Sequence, residues 1–296
     1  MDGGTNSSFT VRRLGGPLGA EIVGLDLSKP IDEATFRRVE AAFHEHCVVV
    51  YRDQKLDADQ HVAFTKRWGE PTAHVLKQYH HLRHPEMLIL SNIVENGKPR
   101  GISDAGQYWH SDMSYTDEPP RCSILHGIEI PFDDAGNALG DTLFVNTVAA
   151  YEALDDETKR RIDGLHAKHD YQARYTRQQA TGNATRVELD EDQKKSVPTV
   201  VHPVVRTHPF TGKKALYVSE GFTVELLGLP KDEGDRLLAR LCAHVTEPRF
   251  MYTHKWRPHD VLMWDNPSTQ HNAIPNYGPH QRRLMERTTV RGTPVF

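Results

Sequence analysis

Tyr108-Trp109-His110-Ser111-Asp112 is the stretch of sequence on which the predicted fold and chemistry depend. On a strand, His110 and Asp112 would point to the same face, because side chains alternate along a strand with a period of two. Both side chains could then bind one metal ion. The chain contains 18 histidines, so a His-x-Asp pair is expected about once by chance, and a surface histidine beside a solvated aspartate also explains it.

A third metal ligand would have to come from a distant part of the chain, and His271 is the candidate. It closes the segment Trp264-Asp265-Asn266-Pro267-Ser268-Thr269-Gln270-His271. Two neutral imidazoles and one carboxylate on one face leave coordination positions open, as in non-haem Fe(II) oxygenases. The same ligands would also suit a zinc-dependent hydrolase, so the ligand set alone predicts a metal site and leaves its chemistry open.

Hydrophobic patterning predicts strands toward both ends of the chain, with helices inserted between them. The predicted strands are 9–13, 18–27, 47–51, 87–90, 122–128, 142–145, 216–218, 261–264 and 285–290. The predicted helices are 32–46, 57–68, 148–163 and 231–246. This order of elements favours one α+β domain with a mainly β core over two separate domains.

One long segment lacks both periodicities. Residues 176–200 are polar and charged, with little regular spacing of apolar side chains. Connections of this length usually serve as lids or binding segments. We therefore predict a mobile lid or excursion over residues 172–200.

Composition and charge argue against several classes of protein. The 296 residues carry a formal net charge of −4, so no general attraction to nucleic acid is expected. No apolar run approaches the ~18 residues of a membrane span, and no run of Lys and Arg predicts a membrane anchor. The three cysteines lie far apart, which argues against a disulfide framework and makes the cytoplasm the expected compartment.

Many blocks of the sequence resemble the taurine dioxygenase (TauD)/TfdA family of Fe(II)- and 2-oxoglutarate-dependent dioxygenases. The blocks that carry the resemblance include Gly19-Ala20-Glu21-Ile22-Val23-Gly24, Val49-Val50-Tyr51-Arg52-Asp53-Gln54, Arg67-Trp68-Gly69-Glu70, Trp109-His110-Ser111-Asp112, Gly140-Asp141-Thr142-Leu143-Phe144, Trp264-Asp265-Asn266, Thr269-Gln270-His271 and Gln281-Arg282-Arg283-Leu284-Met285-Glu286-Arg287. They stand in the family's order and span nearly the whole chain. The resemblance implies a double-stranded β-helix of the jelly-roll or cupin-like type, with inserted and flanking helices, as a single domain over residues 1–296.

The resemblance also implies roles for the residues around the metal. His110, Asp112 and His271 match the iron ligands. Arg283 matches the arginine that forms an ion pair with the distal carboxylate of 2-oxoglutarate, and Thr142 matches a hydroxyl that donates to the same carboxylate. Arginine suits this role because its planar guanidinium binds a carboxylate through two parallel hydrogen bonds.

For the second substrate, the resemblance implies an anion. Arg287 matches the arginine that binds the anionic head group in taurine-like enzymes, and His74 matches a histidine that assists it. Arg283 and Arg287 would share one face of a strand, and burying both without anionic partners would be costly, which argues for two anions in the site. Tyr108 and Tyr175 depart from the taurine enzyme's pattern and indicate a pocket for a more apolar or aromatic anion.

The implied reaction is hydroxylation of a C–H bond in a small anionic substrate, with succinate and CO2 as co-products. The substrate would be a sulfonate, a sulfate ester or an aryloxy-carboxylate, and Fe(II), 2-oxoglutarate and O2 are the implied cofactor and co-substrates. The family also implies a homo-oligomer, either a dimer or a tetramer. The charge and composition predict no nucleic-acid or membrane partner. A zinc-type metal-dependent hydrolase and a non-catalytic β-barrel binding protein remain as alternatives.

Overall fold

The computed structural model describes residues 8–173, 176 and 189–296. The strands, in chain order, are β1 Thr10–Arg13, β2 Ala20–Val23, β3 Val48–Tyr51, β4 Met87–Ser91, β5 Val94–Glu95, β6 Lys98–Pro99, β7 Cys122–Glu129, β8 Thr142–Asn146, β9 His166–His169, β10 Val200–Pro203, β11 Val205–Thr207, β12 Lys214–Leu216, β13 Thr223–Leu226, β14 Met251–His254, β15 Val261–Asp265, β16 Thr269–Ala273 and β17 Leu284–Val290. The α-helices are α1 Glu33–His46, α2 Ala58–Trp68, α3 Thr147–Glu152, α4 Asp156–Ile162, α5 Glu191–Ser196 and α6 Lys231–Val245. Short 3-10 helices lie at Lys77–Tyr79 and Pro248–Phe250.

Aspartate caps determine where several helices begin. Asp32 accepts a hydrogen bond from the backbone of Thr35 at the start of α1. Asp57 does the same at the start of α2, where Gln60 returns a bond to the cap backbone and completes a capping box. The predicted helices 32–46 and 57–68 are therefore confirmed to within one residue at each end.

A seven-stranded sheet in the order β1-β2-β3-β15-β7-β17-β4 forms the main scaffold. Side chains of β15 alternate between its two faces. Leu262 and Trp264 pack with Phe144 of β8, which belongs to the three-stranded sheet β14-β8-β16. Val261 and Met263 join the apolar cluster beneath α1 and α2 on the opposite face. Two facing sheets with helices on the outside are the mainly β, double-stranded β-helix that the sequence predicts.

Three of the predicted elements are wrong in their bounds. The predicted strand 18–27 is reduced to β2, which ends before Gly24, where φ is +104°. The predicted helix 148–163 is two helices, α3 and α4, because Asp155 caps a new start by accepting from the backbone of Thr158. The predicted strand 216–218 is displaced to β12, whose partner β11 ends the pairing at Leu216.

The predicted lid lies mostly outside the residues that the structure describes. Within 189–200, Asp190 and Gln193 form a capping box at the start of α5, so this part of the segment is helical. The assignment of 172–200 as a lid stays a prediction. In the described part of the chain no helix combines the length and the apolar character needed to cross a bilayer.

Candidate active site

A single backbone bridge brings two of the three predicted ligands together. The N–H of His110 donates to the carbonyl of His271 at 3.1 Å, and the N–H of His271 returns a bond to the carbonyl of His110 at 2.9 Å. The two imidazole rings consequently lie 4.1 Å apart, centroid to centroid. Residues 108–112 do not form a regular strand, because pairing with β16 stops at this one bridge and the chain turns at Met113, which has a φ of +48°.

Asp112 completes a buried cluster with the two histidines. Its Oδ1 lies 3.6 Å from His110 Nε2. One ligand atom from each of His110, Asp112 and His271 lies within 4.8 Å of the others, and all three residues are buried. His110 Nδ1 lies 2.8 Å from the carbonyl oxygen of Tyr108, which can only accept. Nδ1 therefore carries the proton, and Nε2 presents its lone pair to the centre of the cluster.

The carboxylate of Asp112 is held in place at both oxygens. The Ser123 hydroxyl donates to Oδ2 at 2.6 Å, and the Arg287 guanidinium donates to Oδ1 at 2.8 Å. Burial alone would raise the pKa of Asp112, but Arg287 and the two neighbouring imidazoles outweigh it and hold that pKa well below its ordinary value. Asp112 is therefore an anion, as a metal ligand must be.

These side chains fit a divalent iron. The Nδ1 atom of His271 is buried and has no hydrogen-bond partner in the described part of the chain. Burial and the neighbouring imidazole of His110 keep the pKa of His271 well below its usual range, so the ring is neutral and has a free lone pair. Two neutral imidazoles and one carboxylate form the donor set that non-haem Fe(II) sites use.

Replacing Ser123 by alanine should weaken metal binding without removing a ligand. Its hydroxyl orients Asp112 and itself accepts a hydrogen bond from the Asn266 amide at 3.2 Å. Loss of such a supporting bond typically lowers metal affinity by about 10-fold to 100-fold. Anaerobic titration with Fe(II) measures the change. Ser111→Ala is the matched control, because that hydroxyl donates to the Asn266 carbonyl instead. Equal losses in both variants would contradict the role given to Ser123.

A pocket of about 620 Å³ opens beside the cluster and contains both predicted 2-oxoglutarate contacts, Thr142 and Arg283. Arg283 Nη1 donates to the carbonyl of Gly140 at 2.7 Å, and no carboxylate forms an ion pair with this arginine among the residues described. A Cβ at Gly140 would lie 1.7 Å from Nη1, so only glycine allows the guanidinium to approach so closely. The Thr142 hydroxyl accepts a hydrogen bond from Trp256 Nε1 at 3.1 Å, which leaves its own proton available for a ligand.

The expectation that both arginines would lack an acidic partner is wrong for Arg287. Arg283 and Arg287 line the same pocket, as the predicted strand spacing requires. Arg287, however, forms a buried ion pair with Asp112, with both side chains less than 10% exposed. The cost of burying a cation is thus offset by an ion pair for Arg287, whereas Arg283 contacts the rings of Trp256 and Tyr277 and has no ion-pair partner among the residues described.

A second pocket of about 390 Å³ meets the first at His110 and Arg287. It contains the predicted substrate residues His74 and Tyr108. The ring of Tyr108 lies 4.5 Å from that of His110, centroid to centroid. Three further aromatic residues line this pocket, namely Tyr115, Tyr171 and Phe222. The remaining predicted substrate residue, Tyr175, lies outside the residues that the structure describes.

The sequence interpretation missed several residues of the site. Ser123 supports Asp112, and Trp256 bonds to Thr142, yet neither stands in a recognisable motif. Two further groups of histidines and acids are also brought together, and neither was predicted. They are His61, His126 and Glu286, and His44, His208 and Asp265. Each group joins distant segments, so spacing along the chain gave no signal.

Comparison with known proteins connects this geometry to a family. The profile of the family described as "Taurine catabolism dioxygenase TauD, TfdA family" matches residues 10–289. The alpha-ketoglutarate-dependent 2,4-dichlorophenoxyacetate dioxygenase of Burkholderia sp. (strain RASC) is 32% identical over 282 residues, covering 92% of this chain and 91% of that protein. The alpha-ketoglutarate-dependent sulfate ester dioxygenase of Pseudomonas putida is 31% identical over 289 residues, covering 95% and 89%.

A solved structure agrees with these relatives. The crystal structure of AAD-2 in complex with Mn(II) and N-oxalylglycine superposes with a TM-score of 0.79 at 32% identity, covering 98% of this chain and all of that one. The predicted double-stranded β-helix and the predicted dioxygenase activity are thereby confirmed, in preference to a zinc hydrolase or a non-catalytic barrel. The chain belongs to the taurine catabolism dioxygenase TauD, TfdA family, and it is a dioxygenase that depends on Fe(II), 2-oxoglutarate and O2.

Proposed function

We propose that this dioxygenase hydroxylates a C–H bond of a small organic anion with an apolar or aromatic body. A sulfate ester, a sulfonate or an aryloxy-carboxylate would fit this description. The single observation that carries the proposal is the position of Arg287. It is a buried cation at the junction of two pockets, beside the three candidate metal ligands. One pocket contains a second arginine, and the other is lined by aromatic rings.

In this proposal, His110, Asp112 and His271 hold the iron. When bound there, Fe(II) and 2-oxoglutarate supply the activation of O2, and succinate and CO2 are the co-products. The protein holds the metal ligands and the substrates in fixed positions. The bridge between His110 and His271 fixes the two imidazoles, and Ser123 and Arg287 fix the carboxylate of Asp112. A fixed ligand set allows the target C–H bond to be aimed at the metal.

Arg283 and Thr142 bind the distal carboxylate of 2-oxoglutarate in the larger pocket. Within the described ranges, the buried Arg283 guanidinium donates to the carbonyl of Gly140 and forms no ion pair, which supports this role, because a buried cation without an anionic partner is costly. The Thr142 hydroxyl adds a donor to the same anion. His110 and His271 line this pocket as well, so one molecule can reach from Arg283 to the metal.

Arg287 binds the anionic head of the second substrate. Its ion pair with Asp112 uses Nη1, and its Nε atom is buried with no hydrogen-bond partner within the described ranges. The guanidinium therefore has donor capacity left for an anion in the smaller pocket. His74 and Tyr108 line the same space, which allows them to contact the substrate.

The aromatic lining of the smaller pocket favours a substrate with an apolar or aryl body. Tyr108, Tyr115, Tyr171 and Phe222 offer ring faces and edges, which bind flat apolar groups well. One relative acts on 2,4-dichlorophenoxyacetate, which combines an aryl body with a carboxylate, and another acts on sulfate esters, which carry a negative charge. Both kinds of substrate fit the proposal.

The substrate class is tested by measuring succinate release against a panel of sulfonates, sulfate esters and aryloxy-carboxylates. For the best substrate, each anion is compared with a neutral analogue of the same shape, such as the amide of the acid. In Arg287→Leu, the preference for the anion in kcat/KM should fall by about 30-fold or more, since a buried charged partner is lost. This ratio is insensitive to any change in iron binding. An unchanged ratio would contradict anion recognition by Arg287.

The wider setting of the enzyme is also part of the proposal. The chain forms a single domain over residues 1–296 and works in the cytoplasm as a dimer or tetramer, without a nucleic-acid or membrane partner. Cys47 and Cys122 are buried free thiols, which supports a reducing compartment. Light scattering during gel filtration would measure the number of chains, and a monomer at micromolar concentration would contradict the oligomer.

A further inference from the structure

A second group of metal-ligating side chains lies on the opposite face of the seven-stranded sheet. His126 of β7 and Glu286 of β17 are directly paired across the two strands, and His61 of α2 packs over them. One ligand atom from each of the three lies within 4.8 Å of the others. The neighbouring residue Arg287 faces the active-site pocket, so the sheet separates this group from the candidate iron site.

Three of the four imidazole nitrogens in this group have no close hydrogen-bond partner among the residues described. His126 is 2% exposed, and neither of its ring nitrogens has a close hydrogen-bond partner among the residues described. His61 is fully buried, and its Nδ1 atom is also without a close partner, while its Nε2 atom bonds to the Thr288 hydroxyl at 3.1 Å. Hydrogen bonding to the backbone of Gln54 and of Ile124 raises the pKa values of His126 and His61 by less than burial lowers them, so these contacts satisfy the rings poorly. Poorly satisfied buried nitrogens are costly, and three in one place favour a bound ligand.

The protonation states of these three side chains favour the binding of a metal cation. Burial lowers the pKa of His61 to about 3 and that of His126 to about 4, so both rings are neutral near pH 7 and have free lone pairs. Burial raises the pKa of Glu286, and the nearby side chains of Arg100 and His84 offset this rise only in part. A bound cation would compensate the half-buried negative charge of Glu286 and displace any proton from it.

We propose that His61, His126 and Glu286 bind a structural divalent transition-metal ion of the zinc type. Two imidazoles and a carboxylate are a common zinc donor set, and a fourth position remains for water. Zinc–ligand bonds of about 2.0–2.2 Å require ligand atoms closer together than 4.8 Å, so the side chains must contract slightly on binding. Imidazole and carboxylate ligands select against Ca²⁺ and Mg²⁺, which prefer all-oxygen sites.

Such an ion would join α2 to the strands that form the wall of the active site. Its ligands lie on α2, β7 and β17, and the opposite faces of β7 and β17 contribute Leu125, Met285 and Arg287 to the pocket. The ion would therefore stabilise the fold at the strand that supports Arg287. It would take no part in the chemistry at the iron.

The other unassigned group, His44, His208 and Asp265, is a weaker candidate for a metal site. His208 Nε2 and Asp265 Oδ2 already form a hydrogen bond at 2.6 Å, and the Ser268 hydroxyl donates to the same oxygen at 2.6 Å. The Arg121 guanidinium lies 3.4 Å from His44 Nε2, where it would repel a second cation. His44, His208 and Asp265 are therefore better explained as an internally paired polar group.

The test is titration of the full-length chain with Co²⁺, followed by its visible spectrum, and with Zn²⁺ by competition with a chromogenic chelator. His271→Ala is used as the background, because it disables the iron site. Wild type should bind two equivalents of metal and the His271→Ala chain one. Adding His126→Phe, which keeps the ring volume, should remove that equivalent, and adding Glu286→Gln should weaken its binding by at least about 10-fold. Excess Zn²⁺ should raise the Tm of the His271→Ala chain by roughly 5 °C and leave the Tm of the double variants unchanged.

The matched control is His84→Ala in the same background, because His84 is a nearby histidine paired with Asp59 outside the group. It should retain the one equivalent. The proposal is overturned if the His271→Ala chain binds no metal, which would leave a hydrated polar pocket. It is also overturned if the bound equivalent of metal survives in both the His126→Phe and Glu286→Gln chains. Loss of that bound metal in the His84→Ala chain would overturn it as well. Glu286→Gln keeps the side-chain shape and remains informative should His126→Phe fail to fold.

Discussion

Replacing Asp112 by alanine is expected to reduce succinate formation by at least about 1,000-fold. Loss of a residue that only supports a ligand lowers affinity or activity by about 10-fold to 100-fold, so loss of the ligand itself should exceed that range. The substitution also removes the acidic partner of Arg287, whose guanidinium then lies buried and unpaired beside the metal. Both effects act against a bound divalent cation, because the negative charge is lost and a positive charge is left uncompensated.

Two controls separate these effects. Asp112→Asn keeps one acceptor oxygen, for either Ser123 or Arg287, but lacks the negative charge, so it should lose nearly as much activity. Asp134→Ala removes an exposed aspartate from a loop and should change succinate release less than about 2-fold. Succinate formation is measured with saturating 2-oxoglutarate and added Fe(II), and circular dichroism checks the fold. Turnover near the wild-type rate in Asp112→Ala would remove this residue from the ligand set.

Local signals made most of the helices predictable. Asp32 stands three residues before Thr35, and Asp57 stands three residues before Gln60. The backbone N–H of the later residue donates to the aspartate in each case, so the starts of α1 and α2 follow from the sequence. The break between α3 and α4 was missed for a physical reason. Ala150, Leu154 and Ile162 all pack into one apolar cluster, so the helical spacing continues across the turn even though the helix does not.

The candidate site residues that stand in the family's motifs could be predicted from the sequence. The contacts that depend on how distant strands pair could not. His110, Asp112 and His271 were found together with Arg283 and Arg287 because each stands in a recognisable block of sequence. The ion pair between Asp112 and Arg287 was missed, since it depends on how a loop approaches β17. The group of His61, His126 and Glu286 was missed for a similar reason. The register that places His126 opposite Glu286 is specified by packing between distant strands.

Replacing Arg283 by methionine is expected to raise the KM for 2-oxoglutarate by about 100-fold or more, with a smaller effect on kcat at saturation. Truncating one member of a buried, hydrogen-bonded charge pair costs about 2–5 kcal/mol, which corresponds to this change in affinity. Methionine fills much of the arginine volume, so the aromatic neighbours Trp256 and Tyr277 keep a packing partner. Arg283→Lys should recover only part of the loss, because an ammonium group cannot make two parallel hydrogen bonds to a carboxylate.

The neighbouring Arg282 provides the matched control for this prediction. It is an exposed arginine paired with Glu129, and exposed pairs contribute about 0–1 kcal/mol, so Arg282→Met should leave the KM for 2-oxoglutarate within about 3-fold. Equal effects of the two substitutions would show that general positive charge, rather than a buried carboxylate site, determines the KM. A fall in kcat with an unchanged KM would place Arg283 in the support of the metal ligands instead. Only a selective rise in KM at Arg283 agrees with a guanidinium that the fold buries beside Gly140, with no acidic ion-pair partner in the described part of the chain.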